Sequence, residues 1–531
     1  MSRIERSVVF GRSLAVLAAV TLSSACGGDE ARRPETAAGM GGGNPSQAGD
    51  GGTASSEGGT GGTGTSGAGA GGKSGTAGKA GSGGRPAGSG GRPEAGSPTS
   101  CEDDDLAFCD TFDAKTSTPG PRTGDLDPAR WSVGRISPQL PTGSPSVISI
   151  PAATIPACRS GVGTSVFPNE DMLICDANDQ IGSAHVLMAV AAQNYGQNSQ
   201  RIRQPFDFAG RTGKVVFDME AYAENTLLGW AAIEISEDPT PTPSFPDFEY
   251  GPLPRNGLQI QFTPCDPYEG VGVREVRTFK DFVKTGIEPT FSDLQACPTA
   301  EKGKLNHIEL RLSKTSLEVY ASDVSPDGSS YPNFRLIYTA DIDLPFERGY
   351  VTLTGHNHAT LKYSDHAIDA WLVRWDNVGF DGPVVSNHRE YSLPDSLTPI
   401  NNGERVNIGY KVPADEGAPA VLEFSDVDPS DVESAKLAFT VYYPACYNEA
   451  ECLAYNVRYR VNGGAYHDRI PDAGELGVML LANQQGCLNQ VIELDPSELV
   501  AGTNTIELAA PTIPQSYPPA VANVDLVLTT R

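Results

Sequence analysis

Several runs of this chain alternate apolar with chemically active side chains at the spacing of an extended strand. In residues 215–222, Val215, Phe217, Met219 and Ala221 alternate with Val216, Asp218, Glu220 and Tyr222, so one face is apolar and the other carries two carboxylates and a phenol. Residues 230–236 set Ala231, Ile233 and Ile235 against Trp230, Glu234 and Ser236. Residues 258–262 set Leu258, Ile260 and Phe262 against Gln259 and Gln261, and residues 307–312 set Ile308, Leu310 and Leu312 against His307, Glu309 and Arg311. Brought into one sheet, the second faces would join into a surface of carboxylates, amides, an imidazole and two aromatic rings. Polar outer faces are ordinary in antiparallel sheets. Trp230 and Tyr222 ask for more, because exposed rings on a hydrophilic face invite stacking, which a sugar ring provides while amides and carboxylates take its hydroxyl hydrogens. The expected ligand contacts on these runs are Asp218, Glu220, Tyr222, Trp230, Glu234, Gln259, Gln261 and His307.

A further cluster, Gly355-His356-Asn357-His358 with Asp365-His366 close behind, holds three of the chain's seven histidines. On a strand, His356 and His358 share a face. With a third donor from Asp365 or His366 they would make a transition-metal site. No fourth ligand is evident, so the reading adopted is that His356 and His358 line the ligand face by hydrogen bonding, with no metal assigned.

The positioning elements are short alternating segments separated by Gly, Pro, Asn and Asp, the pattern of an all-β chain built from β-sandwiches. Residues 27–99 contain no Val, Leu, Ile, Phe, Tyr or Trp and hold 27 of the 59 glycines, so nothing there can offset the entropy of ordering. They read as a disordered tether with a root-mean-square span of roughly 45 to 50 Å. Before it, Arg3, Arg6 and Arg12 precede an apolar run over 14–22 that ends in Ser23-Ser24-Ala25-Cys26, the order of a secretory signal and too short to span a bilayer. This resembles the signal of a bacterial lipoprotein, which implies lipidation at Cys26 and a lipid bilayer as partner. Ordinary cleavage and secretion is the alternative, since Ser23 stands where that signal prefers Leu.

The formal charge is −27, and setting aside the signal and a tether whose charges cancel leaves −29 on residues 101–531. Such a surface repels phosphate backbones and anionic lipid, which excludes nucleic acid as a partner. Nine cysteines besides Cys26, without a Cys-x-x-Cys pair, fit an oxidising compartment. Sequence neighbours pair Cys101 with Cys109, Cys158 with Cys175 and Cys265 with Cys297, leaving Cys446, Cys452 and Cys487. A composition change over 385–402 divides a first module, 101–384, from a second, 403–531, whose alternation and Asn/Gly turns again read as a β-sandwich.

Cys109-Asp-Thr-Phe-Asp-Ala and Leu126-Asp-Pro-Ala-Arg-Trp131 resemble the opening of concanavalin A-like lectin/glucanase modules, which include the laminin G-like domains, and Trp375-Asp-Asn-Val-Gly-Phe-Asp381 resembles their closing strand. The resemblance covers about 110–383. It implies a two-sheet jelly roll with its first and last strands close together, polysaccharide as ligand and calcium as a frequent structural ion. Glucanases of that fold carry Glu-x-Asp-x-x-Glu on one strand. This chain lacks that string, its nearest being Glu234-Ile-Ser-Glu-Asp238, so catalysis would need another carboxylate pair at about 5 Å, such as Glu220 with Glu234 across neighbouring strands. In the second module, Val461-Asn-Gly-Gly and Gly502-Thr-Asn-Thr-Ile-Glu-Leu resemble galactose-binding-like sandwiches.

The function expected is that of an exported protein, lipid-anchored at the outer membrane or cell surface, that binds polysaccharide without catalysis. The alternatives are a tethered glycan hydrolase or lyase and a structural or adhesive envelope protein.

Overall fold

A computed structural model describes residues 101, 106–113, 116, 122–123, 126–136, 172–176, 184–191, 197–222, 229–240, 253–264, 271–287, 305–324, 330–357, 370–393, 406–407, 410–411, 419–442, 448–454, 457–482, 487–511 and 520–531. Its first strands are β1 (Phe108–Asp110), β2 (Trp131–Ile136), β3 (Met172–Asp176), β4 (Ala184–Ala191), β5 (Gln197–Ile202), β6 (Phe206–Asp207), β7 (Gly213–Tyr222) and β8 (Gly229–Ser236). There follow β9 (Gly257–Pro264), β10 (Val271–Lys280), β11 (Val283–Ile287), β12 (Asn306–Leu312), β13 (Ser316–Asp323), β14 (Arg335–Asp341), β15 (Arg348–Asn357) and β16 (Ala370–Phe380). Next come β17 (His388–Ser392), β18 (Val406–Asn407), β19 (Tyr410–Lys411), β20 (Ala420–Val427), β21 (Val432–Tyr442), helix α1 (Glu449–Ala454), β22 (Arg458–Val461) and β23 (His467–Asp468). Helix α2 (Ala473–Ala482), β24 (Cys487–Leu494), β25 (Gly502–Pro511) and β26 (Ala520–Thr530) complete the chain.

The protein is all-β. Sheet I runs β14-β13-β12-β7-β16-β4-β3 with β1 on β16, and sheet II runs β11-β10-β9-β8-β15-β5-β2 with β6 on β15. Sheet III runs β17-β26-β21-β24 with β18 on β26, and sheet IV runs β19-β25-β22-β23 with β20 on β25. Sheets I and II make the first sandwich. Their apolar rows meet face to face: Val215, Phe217, Met219, Ile308, Leu310 and Trp375 of sheet I share one core with Ala231, Ile233, Ile235, Leu258, Ile260 and Phe262 of sheet II. Phe217 and Phe262 touch edge to face at 5.7 Å across the sheets. Burying each such side chain contributes roughly 1.5 to 3 kcal/mol, so the alternating rows supply most of what orders the strands. Sheets III and IV enclose a separate core around Leu422, Phe424, Leu437, Phe439, Ile506, Leu526 and Leu528.

The strings that opened and closed the first module are architectural. β1 pairs antiparallel with β16, Phe108 opposite Phe380, so the first and last strands of the module are neighbours. Trp131 is fully buried, donates from Nε1 to Asp110 Oδ2 at 2.7 Å and packs on Phe108 and Phe112. A Cβ on Gly379 would stand 2.7 Å from Leu106 Cδ1 and 2.8 Å from Cys101 Cβ, so only glycine lets β1 and the Cys101–Cys109 disulfide lie this close to β16. Cys452 is also disulfide-bonded. The pairings expected for Cys158 with Cys175 and Cys265 with Cys297 lie outside the described side chains, as do Cys26 and the tether.

The stretch read as a linker is structured in part. His388–Ser392 pairs with β26, with Tyr391 opposite Leu526, so the second sandwich takes its first strand from inside 385–402. Its Ser, Pro and Asn neighbours hid a strand of only five residues. In the second sandwich, Asn462, Gly463 and Gly502 adopt positive φ at the turns expected for them.

The two sandwiches touch through charge. Arg201 on β5 donates to Glu390 Oε1 and Oε2 at 2.7 and 3.0 Å and to Asp525 Oδ2 at 3.1 Å. Ser132 donates to Asp525 Oδ2 at 2.8 Å, Arg122 also binds Asp525, and Arg203 reaches Glu390 O and Ser392. Burial alone would lower the Arg201 pKa, but Glu390 and Asp525 outweigh it and hold the pKa above its ordinary value. Burial would raise the Glu390 carboxyl, but Arg201 and Arg203 pull it well below the usual range. At the β10–β11 turn, Asp281 and Phe282 both take positive φ, a conformation bulky residues rarely adopt. It carries Phe282 against the second core, under the Arg255 guanidinium at 4.8 Å, while Arg255 bonds Asp472 at the start of α2.

Candidate ligand-binding face

The outer face of sheet II can be read row by row. One row joins Ser132, Arg201, Thr352, Glu234, Gln259 and Arg277 across β2, β5, β15, β8, β9 and β10. The next joins Gly134, Ser199, Thr354, Ala232, Gln261 and Glu275. A third places Ile136, Gln197, His356 and Trp230 in register. Trp230, Glu234, Gln259, Gln261 and His356 are therefore brought together on one face, although the side chains of Trp230 and His356 lie outside the described ones.

The remaining expected contacts do not join them. Residues 215–222 and 307–312 form β7 and β12 of sheet I, whereas 230–236 and 258–262 form β8 and β9 of sheet II, so the single composite face is overturned. Identical alternation fits either sheet of a sandwich, and partner choice is a long-range matter that alternation does not encode. Asp218 and His307 stand opposite each other in sheet I, and His307 Nδ1 lies 2.7 Å from Asp218 Oδ1. Asn377 donates to Asp218 Oδ2 at 2.7 Å from a register irregularity in β16, and Tyr331 stacks on the imidazole at 3.9 Å. These contacts make a buried polar anchor that fastens the 331–334 turn onto sheet I.

Glu220 pairs in register with Arg374 and Tyr222 with Leu372, both on sheet I. Glu220 and Glu234 therefore belong to different sheets and are not cross-strand neighbours. That overturns the catalytic pair considered for a hydrolase or lyase. His358, Asp365 and His366 lie outside the described residues. Among the described residues no group of three or more His, Cys, Asp or Glu side chains is placed to hold a metal ion.

Glu234, Gln259 and Gln261 are fully buried and connected. Gln259 Nε2 donates to Glu234 Oε2 at 3.2 Å, and Gln261 Nε2 donates to Gln259 Oε1 at 3.0 Å. Gln261 Oε1 and the Oγ1 atoms of Thr352 and Thr354 are buried without a protein hydrogen-bond partner. Arg277 is bound to Glu275 through both Nε and Nη2. Composition and spacing missed Thr352, Thr354 and Arg277. The threonines were within reach, since they alternate with the apolar Val351 and Leu353 and share parity with His356.

No protein-family model matches the chain, and no curated protein matches it. Among solved structures, the chain is similar to the Bacillus licheniformis beta-glucanase at 13% identity and a TM-score of 0.25, over 50% of this chain and 96% of that one. It is similar to the carbohydrate binding module CBM66 from Bacillus subtilis at 13% identity and a TM-score of 0.20, over 38% and 98%. The carbohydrate recognition domain of Emp47p aligns at 11% identity and a TM-score of 0.25, over 52% and 99%.

Proposed function

We propose that the first sandwich binds polysaccharide on the outer face of sheet II, without catalysis, and that the protein is exported and held by a lipid on Cys26 at the outer membrane or cell surface. The observation that carries the binding reading is the set of buried oxygens on Gln261, Thr352 and Thr354 that the protein leaves unbonded, on the same face as Glu234, Gln259, Trp230 and His356. Burying such groups without hydrogen bonds is costly, and sugar hydroxyls both donate and accept. Trp230, whose backbone lies in register in the next row, is the residue we assign to stacking on a sugar ring.

A glycan array probed with the exported full-length protein tests the reading. Retention of at least one polysaccharide is expected, weakened several-fold by Trp230→Ala with an unchanged unfolding curve, in keeping with a stacking contribution of about 1 kcal/mol. Absence of any retained glycan would reject binding, and release of shortened product from a bound glycan would reject the non-catalytic part. Cys26→Ser should move the protein from the membrane to the soluble exported fraction, and equal retention of both forms would reject the anchor.

A further inference from the structure

The second sandwich is seated on sheet II in a fixed register, and its ties can be followed row by row. In the row of Tyr350, which pairs with Ser236, the phenol ring lies 5.8 Å from the imidazole of His388 on β17. One row further, Ser132 and Arg201 stand in line with Thr352, and they bond Glu390 and Asp525, the residues that come next on the facing side of sheet III. The same order holds at the β8 end. There Lys436, in register with Val527 and through it with Glu390, bonds Asp238 Oδ1 at 2.9 Å, just beyond Ser236. Advancing along sheet II from Tyr350 therefore means advancing along sheet III from His388 toward Asp525 and past it.

One row past the charged ties, both walls turn polar and neutral. Sheet II presents Ser199, Thr354 and Gln261, and the side-chain oxygens of Thr354, Gln261 and neighbouring Thr352 are buried without a protein partner. Sheet III presents Thr440 and Asn489, paired across β21 and β24 on the face that carries Lys436 and Ala438. Thr440 donates to Asn489 Oδ1 at 3.2 Å. The register of β21 with β26 shifts between Ala438 and Thr440, and in that irregularity lies Asn523, with a φ of 54° and its Nδ2 3.5 Å from Thr440 Oγ1. A bulge of this kind re-aims a side chain. Thr440, Asn489 and Asn523 are all buried, yet the second core lies on the opposite side of β21, with Leu437, Phe439 and Val441. Two sheet faces that only adhere do so through apolar surface. Rows of amides and hydroxyls on both walls suit a hydroxyl-rich ligand instead, because both groups can donate and accept.

Resting on the polysaccharide reading of sheet II, we infer that the sugar chain is held between the two sandwiches: Gln261, Thr352 and Thr354 meet one side of it, and Thr440, Asn489 and Asn523 of sheet III meet the other. The second sandwich is then a wall of the binding site and not a spacer behind it. The buried charges of Arg201, Glu390 and Asp525 fasten the two walls together beside the ligand.

The test is an array of neutral and uronic acid oligosaccharides probed with the full-length protein and two variants, joined to hydrogen exchange of the wild type with and without the best-retained oligosaccharide. Thr440→Val keeps the side-chain volume, and Asn523→Gly keeps the positive φ while removing the amide. Each should weaken retention about three- to tenfold, the range of one lost hydrogen bond. Backbone exchange should slow around Thr440 and Asn489 as well as around Gln261 and Thr354, a readout that requires no variant to fold. Retention unchanged in either folded variant, whatever its unfolding curve, or exchange slowed on sheet II alone, would make the row an interface between sandwiches. Either result would overturn the inference while leaving polysaccharide binding intact. Retention of none of these glycans by the wild type would overturn both.

Discussion

Two halves of one sheet face bury polar groups in opposite ways. At the β2–β5 flank of sheet II, Arg201 meets Glu390 and Asp525 of the second sandwich, and Ser132 donates to the same Asp525. At the β8–β9–β15 centre, Gln261, Thr352 and Thr354 are equally withdrawn from water, and each keeps an oxygen that no protein group reaches. A buried charge without its counter-charge costs far more than a buried hydroxyl without a partner. The charged flank must therefore be completed by the protein itself, whereas the neutral centre keeps oxygens without a protein partner at a smaller cost. Similar polar residues on one surface thus divide into those the protein pairs with charge and those it leaves unpaired.

The contrast can be broken most forcefully at Arg201. Arg201→Leu takes from buried Glu390 its nearest cation and from Asp525 one of its two, and should cost about 3 to 5 kcal/mol in denaturant unfolding. Because the Glu390 pKa is depressed in the folded state, its stabilisation is present above the ordinary carboxylate range and is lost as pH falls toward the folded value. Acid unfolding of Arg201→Leu should accordingly begin at higher pH than in the wild type, and coincident acid transitions would show that the cluster contributes little. On the same flank, Ser132→Ala removes the hydrogen bond donated to Asp525 and the one accepted from Arg122 at 3.0 Å, and should cost about 1.5 to 3 kcal/mol.

A third substitution sharpens the comparison from the opposite side of the sheet. Gln200 sits in the core-facing row between Val133 and Leu353, and neither its oxygen nor its nitrogen has a partner. No ligand reaches the core, so Gln200→Leu should raise stability by about 1 to 2 kcal/mol in the same unfolding assay. The smallest change expected is in Thr354→Val, which should alter stability by less than about 1 kcal/mol, since the hydroxyl has no protein bond to lose. It should nonetheless weaken polysaccharide retention several-fold. A large loss of stability there, with retention intact, would make Thr354 architecture after all.

Alternation predicted the inward faces well. Val215, Phe217, Met219, Ala231, Ile233, Ile235, Leu258, Ile260, Phe262, Ile308, Leu310 and Leu312 all lie in the first core, as a two-residue period requires. It could not say that β7 and β12 join one sheet and β8 and β9 the other, because each inner face looks the same to its own strand. That Trp230, Glu234, Gln259, Gln261 and His356 fall on one face follows from their shared register, and Asp218 and His307 were drawn in by the same reasoning although they bond each other on sheet I. The Arg201 cluster was not legible at all. Glu390 lay in a stretch that reads as a linker, and single charges on strands look solvated until a second sandwich covers them.

The pairing of β1 with β16 also bears on how the molecule comes to exist. β7 lies between β12 and β16, and β1 has its partner in β16, whose last residue is Phe380. A chain growing from its N-terminus cannot complete sheet I until that strand has been made. Until then β7 lacks one of its two strand neighbours. Non-local closure of this kind places folding in the millisecond-to-second range and lengthens the interval in which sticky strand edges need a holdase. Truncation between the end of β12 and Phe380 should therefore give an aggregate rather than a smaller sandwich.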